Sequence, residues 1–335
     1  MFIVIEGTDA SGKTSLIAAV EKELATRFPD VQISMFHKGK PEELTRRWVL
    51  NDYVLSIEKR NVQRSLLLSD RWHWGEVTYA PKYRPQTNND GYGLLTKAGW
   101  RWTELFLQSR GAMQVWLYQP LDVIQRRLSA RGDEFVQVED LKEILAQYEI
   151  ASKESMIQMK MSPDADSIDE IPEYARRIVD TALLAESSVS HLEFFPQYIG
   201  NPKPSVLLVG DRHNATKRHG HETDLAFMPV DGNSGEYLLS ALPDEFWKTV
   251  GIVNINDHKD SFASLWTMLG HPLIIALGRQ AEKTLALLPI DEEYYRVLPH
   301  PQYVRRFFNT RKEEYGEAIS RITETKSKDD EWILR

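Results

Sequence analysis

The chain of 335 residues contains no cysteine, and this absence removes several kinds of site at once. Without thiols there is no disulfide, no cysteine-ligated zinc, no iron–sulfur cluster and no thiol nucleophile. Long hydrophobic runs are also missing, since no stretch reaches the roughly 20 apolar residues that span a bilayer. The first apolar stretch leads into a glycine turn rather than a cleavage site. We therefore expect no membrane partner and a cytoplasmic protein.

Basic residues are fewer than acidic residues in this chain. Lys and Arg number 41 against 49 Asp and Glu, which gives a formal net charge of −8. Proteins that bind duplex nucleic acid tightly usually carry clustered basic residues that neutralise phosphates. The balance argues against a broadly basic DNA-binding protein and leaves room for a local basic groove. The hydrophobic fraction of 42% is that of an ordinary globular protein.

The length is about twice that of one domain, which predicts two compact domains. In the first half, short apolar strands alternate with longer amphipathic stretches, a pattern typical of a parallel α/β sheet. The predicted elements are strands at 2–6, 32–37, 65–69 and 113–118, a helix at 13–27, and helix-rich segments at 121–151 and 171–184.

A cluster of Ser, Pro and Gly between residues 186 and 203 breaks this pattern and predicts a linker. Buried strands are predicted again at 205–210 and 273–278, so the second domain is also expected to be α/β. The predicted organisation is a first domain at 1–185, a linker at 186–203, a second domain at 204–322 and a polar tail at 323–335.

An eight-residue run, Gly-Thr-Asp-Ala-Ser-Gly-Lys-Thr, begins at Gly7 and lies between a predicted strand and a predicted helix, the context that a P-loop requires. Glycines at 7 and 12 let the loop around Ser11 turn its N–H groups inward, and the helix start adds its positive end. Lys13 is expected to reach the β and γ phosphates of a nucleotide, and Thr14 to bind Mg²⁺. Gly7, Ser11, Gly12, Lys13 and Thr14 are thus the candidate nucleotide-binding residues.

Other charged residues lie where a P-loop enzyme needs them. Asp9 is inside the loop, and Asp70 and Arg71 end an apolar strand, where ligands bind in parallel sheets. Arg127 and Arg131 are four residues apart, so they share one helical face. That face could close over phosphates and stabilise the charge on a transferring phosphoryl group. The alternative is a solvated, charged helix end.

The runs at 6–14, 70–72 and 127–132 together resemble thymidylate kinases and their phage-encoded relatives over about residues 1–184. The resemblance implies a P-loop kinase that uses ATP and Mg²⁺ to phosphorylate a pyrimidine deoxynucleotide. By it, Asp9 contacts the acceptor's sugar hydroxyl and Arg71 its 5′-phosphate, Asp70 helps to position Mg²⁺, and Arg127 with Arg131 belongs to the lid. It also implies a nucleotide partner, a homodimer, and the host cytoplasm if the protein is phage-encoded.

Two departures leave the acceptor open. Thymidylate kinases usually carry Arg-Glu-Pro-Gly after the second strand, whereas residues 36–41 read Phe-His-Lys-Gly-Lys-Pro, in which Lys38 and Lys40 still supply positive charge. The run at 70–76 looks more like the phage group, which includes kinases that phosphorylate 5-hydroxymethyluracil already in DNA. DNA is therefore an alternative partner, and phage nucleotide or DNA-base metabolism is the expected setting.

Aromatic residues are dense between Trp72 and Trp102 and alternate with Lys and Arg. Such a mixture could stack bases and hold a nucleic acid strand. Alternatively, most of these rings fill the core or a nucleoside pocket, because large aromatics bury well. A third interpretation of the chain is a nucleotide-binding regulator whose P-loop only senses ATP.

The second half presents four motifs in the order of the uracil-DNA glycosylase superfamily, which it resembles over about residues 204–320. The resemblance is to the iron–sulfur branch, although the lack of cysteine excludes the cluster. It implies that Asp211 lies on the water-activating side, that Phe227 stacks on a base, that Asn254 reads the base, and that His300 closes on it. Residues after Asp211 are bulkier than in that family, so an active glycosylase and a repurposed base-binding pocket both remain open.

Overall fold

The computed structural model describes residues 1–61, 65–87, 90–132, 136–156, 159–162, 168–211, 225–230 and 232–325. From position 326 onward, the predicted polar tail lies outside the described residues. The chain divides into two compact units. The first comprises residues 1–96 and 111–188, and the second comprises residues 97–110 and 189–335.

The first unit is built on a parallel five-stranded sheet with strand order β2-β3-β1-β4-β5. The strands are β1 (Phe2–Glu6), β2 (Ile33–His37), β3 (Leu66–Asp70), β4 (Met113–Leu117) and β5 (Met159–Met161). The strands predicted from the sequence are confirmed to within about one residue. Strands β1 and β4 are buried along their whole length, which explains their continuous apolar sequence.

Eight helices connect or follow these strands in the described part of the chain up to residue 189. They are α1 (Lys13–Arg27), α2 (Arg46–Asn61), α3 (Trp74–Thr78), α4 (Ala80–Tyr83), α5 (Thr96–Ser109), α6 (Leu121–Arg131), α7 (Leu141–Glu154) and α8 (Ile171–Val189). Apolar side chains of α1 and α8 pack with those of β1, β3 and β4 in one core cluster. The parallel sheet flanked by helices that the sequence predicts is therefore confirmed for this unit.

The second unit contains a separate sheet with strand order β10-β9-β7-β8-β6. The strands are β6 (Ile199–Gly200), β7 (Val206–Gly210), β8 (Val250–Asn254), β9 (Leu273–Leu277) and β10 (Tyr295–Leu298). Only β6 runs antiparallel to its neighbour among these described strands. The helices are α9 (Ser234–Ala241), α10 (Phe262–Met268), α11 (Arg279–Leu285), α12 (Pro301–Phe307) and α13 (Lys312–Thr325). A second α/β fold is thus present.

Helix α5 belongs to this second unit, although the sequence prediction of contiguous domains placed it in the first. Its Arg101 is buried, and Nη1 donates to the carbonyl oxygens of Leu239 and Leu242 at 2.6 Å each. The same side chain forms an ion pair with Asp244. The indole N–H of Trp102 donates to the carbonyl of Ala226 at 3.1 Å. Buried polar contacts therefore hold α5 within the second unit.

The predicted linker at 186–203 has regular structure. It contains the end of α8, a 3₁₀ helix at Ser190–Phe194 and strand β6. Leu192, Phe195 and Tyr198 are buried in the core of the second unit. The Pro and Gly residues suggested a linker, but the apolar residues between them gain more by packing into a core. No helix of the described ranges is long and apolar enough to cross a membrane.

Candidate active site

The P-loop connects β1 to α1 in a shape that its glycines make possible. A Cβ atom on Gly7 would lie 2.7 Å from the carbonyl oxygen of Leu117, so only glycine fits there. Gly12 has a φ of 99° and directly precedes α1, where a left-handed conformation is needed. Ala10 also has a positive φ, 59°. The loop thus brings its backbone to the N-terminus of a 15-residue helix, whose dipole favours an anion.

A cavity of about 400 Å³ opens over this loop. Every nucleotide-binding candidate except Gly7 lines it, together with all six residues predicted to act in transfer. These lining residues are Asp9, Ser11, Gly12, Lys13, Thr14, Asp70, Arg71, Arg127 and Arg131. Their common position is a geometric requirement for phosphoryl transfer, which depends on alignment and charge neutralisation.

Lys13 is buried and donates from Nζ to the carbonyl oxygen of Thr8 at 2.8 Å. Burial, followed by the positive charge of Arg71, lowers the pKa of Lys13 to about 8. Lys13 is therefore still mainly protonated at neutral pH, although the site destabilises its ammonium form. A bound phosphate chain would stabilise that form and raise the pKa of Lys13.

Two of the three arginines of α6, Arg127 and Arg131, also reach this cavity. Arg127 donates from Nη1 to the carbonyl oxygens of Ala10 and Ser11, at 3.4 and 3.3 Å. Arg131, one turn further along the helix, lines the same cavity. The helical face predicted from their spacing thus lies over the P-loop, within reach of bound phosphates.

Asp9, Arg71 and Tyr79 form a closed hydrogen-bonded triangle. Arg71 Nη2 lies 2.6 Å from Asp9 Oδ1 and 3.1 Å from the Tyr79 hydroxyl, which lies 3.0 Å from Asp9 Oδ2. Burial raises the pKa of Asp9, but the charges of Arg71 and Lys13 outweigh it and leave that pKa lowered. Arg71 has a φ of 65°, an unusual conformation for a residue with a side chain. Asp9 is therefore an ionised hydrogen-bond acceptor.

Glu6, to which the sequence motifs assigned no role, supports the backbone beside Arg71. It is fully buried, and Oε1 accepts the backbone N–H groups of Trp72 at 2.7 Å and Trp74 at 3.4 Å. Burial raises its pKa. By binding the turn that follows β3, Glu6 fixes the strained backbone at Arg71. A charged residue at the end of a buried apolar strand was the signal that could have revealed it.

Asp70 offers an oxygen to a cation. Its Oδ2 lies 3.0 Å from His37 Nδ1, whereas Oδ1 is buried and has no hydrogen-bond partner among the described residues. Burial raises the pKa of Asp70, but the His37 hydrogen bond and the charge of Lys13 outweigh it and leave that pKa lowered. The hydroxyl-bearing Thr14 is exposed in the same cavity. These oxygen donors fit Mg²⁺, which takes few protein ligands and completes its shell with phosphate oxygens and water.

A second cavity, of about 640 Å³, adjoins the first and shares Asp9, His37 and Arg71 with it. Its walls carry the aromatic side chains of Tyr53, Trp72, Tyr79 and Tyr83. Aromatic walls with a few polar groups are typical of a pocket for a planar ring system. The residues common to both cavities lie where a donor and an acceptor would meet.

Two ion pairs contribute to this aromatic cavity. Arg84 and Glu76 are both buried, with 2.7 Å between Nη2 and Oε1, and Glu76 Oε2 accepts the N–H of Leu94 at 2.9 Å. Lys38 pairs with Asp52 and lies 5.1 Å from the centre of the Trp72 ring. The positive charge expected from Lys38 is thus balanced by a carboxylate, because the fold brings α2 beside the end of β2.

The tryptophans of the dense aromatic stretch do not form a surface for a nucleic acid strand. Trp72, Trp74, Trp100 and Trp102 are each at most 1% exposed, so they fill the cores of their respective units. Of the two interpretations of this stretch, the structure supports burial. Tyr79 and Tyr83 are partly accessible and line the aromatic cavity.

The four predicted base-binding residues lie close together within the second unit. They are Asp211, Phe227, Asn254 and His300. A Cβ atom on Gly210 would lie 2.6 Å from both Asn254 Oδ1 and a ring carbon of Phe227, so glycine makes room for both side chains. The rings of Phe227 and His300 are 6.4 Å apart. The tertiary fold thus assembles these residues at the carboxyl ends of β7, β8 and β10.

Polar contacts also join this cluster of side chains. Asp211 follows β7 and accepts from Asn256 Nδ2 at 2.5 Å. Burial lowers the pKa of His300, an effect that the negative charge of Asp211 partly opposes. Phe227 has a φ of 49°, so its ring is presented from a strained backbone. The cluster therefore combines an aromatic ring, an amide, a carboxylate and an imidazole that favours its neutral form.

No family model matches the chain. It is similar to the uncharacterized protein YorR derived from the SPbeta prophage of Bacillus subtilis strain 168, with 26% identity over 170 residues that cover 50% of this chain and 93% of that protein. The crystal structure of B. subtilis YorR in complex with phosphorylated GDP covers 54% of this chain and 96% of its own, at 24% identity and a TM-score of 0.42. Deoxyadenosine kinase from M. mycoides with bound dCTP covers 54% of this chain and 100% of its own, at 17% identity and a TM-score of 0.36.

Proposed function

We propose that the first unit is a kinase that transfers the γ-phosphoryl group of ATP to a pyrimidine deoxynucleotide, as a thymidylate kinase does. One observation carries the proposal. The cavity over the P-loop and the aromatic cavity meet at Asp9, His37 and Arg71. Such a junction gives a phosphate donor and a nucleotide acceptor one common boundary, which in-line transfer requires.

Each charged residue has a distinct task in this reaction. An acceptor oxygen attacks the γ-phosphorus, the bond to the β,γ-bridging oxygen breaks, and ADP leaves. Lys13 neutralises the β and γ phosphates, while Arg127 and Arg131 stabilise the charge of the transferring group. Arg71 holds the acceptor phosphate. Mg²⁺, bound through Thr14 and Asp70, would supply further neutralisation of the phosphate chain.

The state of Asp9 favours a phosphate as the acceptor group. Its lowered pKa makes it a weak base, suited to accepting a hydrogen bond from a sugar hydroxyl. A monophosphate whose second pKa is near 6 is largely ionised at neutral pH, so its attacking oxygen needs no base. A free deoxynucleotide monophosphate meets both conditions.

Arg84 supports a keto pyrimidine in the aromatic cavity. A guanidinium group only donates hydrogen bonds, and Glu76 holds this one in a fixed position. Placed at the 4-position of the base, it would complement the carbonyl oxygen of uracil or thymine and disfavour the amino group that cytosine carries there. The same donor would accommodate a 5-hydroxymethyl derivative of uracil.

A second candidate is the same transfer to the hydroxymethyl group of 5-hydroxymethyluracil within DNA, as a step toward hypermodified thymine. The convergence of Asp211, Phe227, Asn254 and His300 favours it, because these groups could bind a base extracted from the stack. On this proposal residues 204–322 form a domain of uracil-DNA-glycosylase type that recognises the base, while residues 1–185 phosphorylate it. Cleavage of bases by that domain would be a separate activity, which a glycosylase assay would test.

Transfer of label from γ-³²P-ATP tests both candidates. The acceptors are dTMP, dUMP, 5-hydroxymethyl-dUMP and DNA that contains 5-hydroxymethyluracil. The first candidate predicts label in the free nucleotides, and label found only in polymer would replace it with the second. Lys13→Ala is the control. If that variant transferred phosphate as well as the wild type, the kinase proposal itself would fail.

A further inference from the structure

His37 ends strand β2 directly opposite Asp70, which ends the neighbouring strand β3. The two residues are partners in the parallel register of the sheet, and the N–H of Lys38 donates to the carbonyl oxygen of Asp70 at 3.1 Å. Side chains of register partners lie on the same face of a sheet. The strand pairing therefore places the imidazole ring beside the carboxylate, at the carboxyl ends of the strands, where ligands bind in parallel sheets.

The ring of His37 makes the only hydrogen bond to the Asp70 carboxylate among the described residues. Nδ1 lies 3.0 Å from Oδ2, whereas Oδ1 is buried and has no hydrogen-bond partner in the same part of the chain. An ionised carboxylate only accepts hydrogen bonds, so Nδ1 is the donor. The orientation of the carboxylate thus depends on this imidazole.

His37 contributes little to the core of the first unit. Its side chain is 54% exposed, and it lines both the cavity over the P-loop and the aromatic cavity. A Cβ atom on Gly39 would lie 3.4 Å from Nε2 of His37, so the glycine leaves room for the ring. Strands β2 and β3 pair over five residues through their backbones. Loss of the imidazole should therefore leave the sheet intact.

The chemistry of Mg²⁺ separates the roles of the two side chains. Mg²⁺ is held by one or two carboxylates together with phosphate oxygens and water. Asp70 supplies such a carboxylate in the cavity over the P-loop. An imidazole suits softer metals better than it suits Mg²⁺. His37 would therefore act on the metal through Asp70 and not as a ligand.

We propose that His37 is a positioning residue for Mg²⁺, which holds the carboxylate of Asp70 in the orientation that binds the metal. A carboxylate offers about four lone-pair sites, so the bond from Nδ1 leaves sites for a cation. Loss of a group that is hydrogen-bonded to a metal ligand typically weakens metal binding about 10- to 100-fold. The inference rests on the proposed function, in which Asp70 and Thr14 bind Mg²⁺.

Mn²⁺ binding by the full-length protein in the presence of ADP tests this role. Mn²⁺ takes the same oxygen ligands as Mg²⁺, and electron paramagnetic resonance measures its free concentration. His37→Phe keeps a planar ring but removes the donor, and it should weaken Mn²⁺ binding about tenfold. His37→Asn should restore most of the affinity, because its amide group donates in place of Nδ1. The affinity for ADP in EDTA should be equal in all three proteins, since no metal is bound there.

An Asp70→Asn background separates the orientation of the carboxylate from other effects of the ring. In that background His37→Phe should not weaken Mn²⁺ binding further, because the carboxylate that His37 positions is absent. His271→Phe is the matched control, since His271 is exposed in the second unit. Equal losses of Mn²⁺ affinity in His271→Phe and His37→Phe, or losses that add in the double variant, would overturn the inference.

The wild-type protein distinguishes failure of the metal site from failure of the role of His37. Wild-type protein that bound no Mn²⁺ with ADP would overturn the proposed metal site and this inference together. Equal Mn²⁺ affinities of the wild type and His37→Phe would overturn the inference alone. Weaker binding of ADP by His37→Phe in EDTA would also overturn it, because the ring would then act on the whole nucleotide site.

Discussion

Arg71 and Asp9, which come from two neighbouring strands of the first sheet, are joined by a hydrogen bond of 2.6 Å at the boundary between the two cavities. Asp9 lies in the loop after β1, and Arg71 follows β3, which pairs directly with β1. The pair occupies the place where donor and acceptor would meet. On the proposed function, an acceptor phosphate would compete with this carboxylate for the guanidinium group of Arg71, so a change at either residue would alter how the substrate binds.

Replacing Arg71 with lysine should reduce kcat/KM for dTMP about 100-fold. A single ammonium group lacks the planar set of donors that contacts Asp9 and a phosphate together. Tyr79→Phe is the matched change, because it removes only one hydroxyl of the same triangle and should cost less than about tenfold. Steady-state kinetics on both variants check this, and an Arg71→Lys enzyme within twofold of the wild type would contradict it.

The affinity for ATP should fall above about pH 8, where Lys13 loses its proton in the free enzyme. Bound phosphates stabilise the ammonium form and raise its pKa, so binding takes up a proton above that pH and not below it. The decrease in affinity approaches tenfold per pH unit. Calorimetric titration between about pH 7.5 and 9.5 measures the trend. Lys13→Arg should bind without this dependence, and a constant affinity in the wild type would refute the assignment.

Arg127→Ala should lower kcat about 100-fold while changing the KM for ATP much less. Its side chain contacts the P-loop backbone, and in the proposed reaction it would stabilise the charge that develops on the transferring group. Arg126→Ala is the control, since Arg126 precedes it on the same helix but does not line the cavity. Equal effects in the two variants would mean that the helix contributes only general positive charge.

Selectivity for a keto pyrimidine should depend on the buried pair of Arg84 and Glu76. Removing one partner would leave a buried charge, which costs about 3–5 kcal/mol in stability. The double variant Arg84→Gln with Glu76→Gln avoids this and offers the base both donors and acceptors. The ratio of kcat/KM for dTMP over dCMP should then fall about tenfold or more. An unchanged ratio, with a thermal midpoint near that of the wild type, would exclude Arg84 from base recognition.

Arg101→Ala should destabilise the second unit by about 3 kcal/mol, because the carbonyl oxygens of Leu239 and Leu242 lose their buried donor. Lys97 pairs with the same carboxylate, Asp244, but at the surface. Lys97→Ala should therefore change stability by less than about 1 kcal/mol. Urea unfolding of both variants makes the comparison, and similar midpoints would show that α5 is not held by Arg101.

Sequence patterns were sufficient for the six apolar strands β1, β2, β3, β4, β7 and β9 and for the phosphate loop. They were insufficient for the strands β5, β6, β8 and β10 and for the helices α2 and α5. Strands β1 and β4 are buried throughout, so their apolar runs are unambiguous. Helix α2 has almost no amphipathic period and was missed. Helix α5 is strongly amphipathic, yet its apolar face belongs to a core that lies elsewhere in the sequence. The sequence of a helix alone does not indicate which core the helix packs into.

The candidate sites divide in the same way. Gly7, Gly12 and Lys13 follow from local rules, because the loop backbone, the helix start and the lysine are adjacent in the chain. The triangle of Asp9, Arg71 and Tyr79 and the support from Glu6 depend on strand pairing, which joins distant residues. The burial of the tryptophans and the exposure of Phe307 also follow from packing, because similar side chains are covered or left open according to their neighbours in the fold. A site formed by a few consecutive residues could be predicted from the sequence. The junction of the two cavities at Arg71 could not, because it depends on how the strands of the sheet pair.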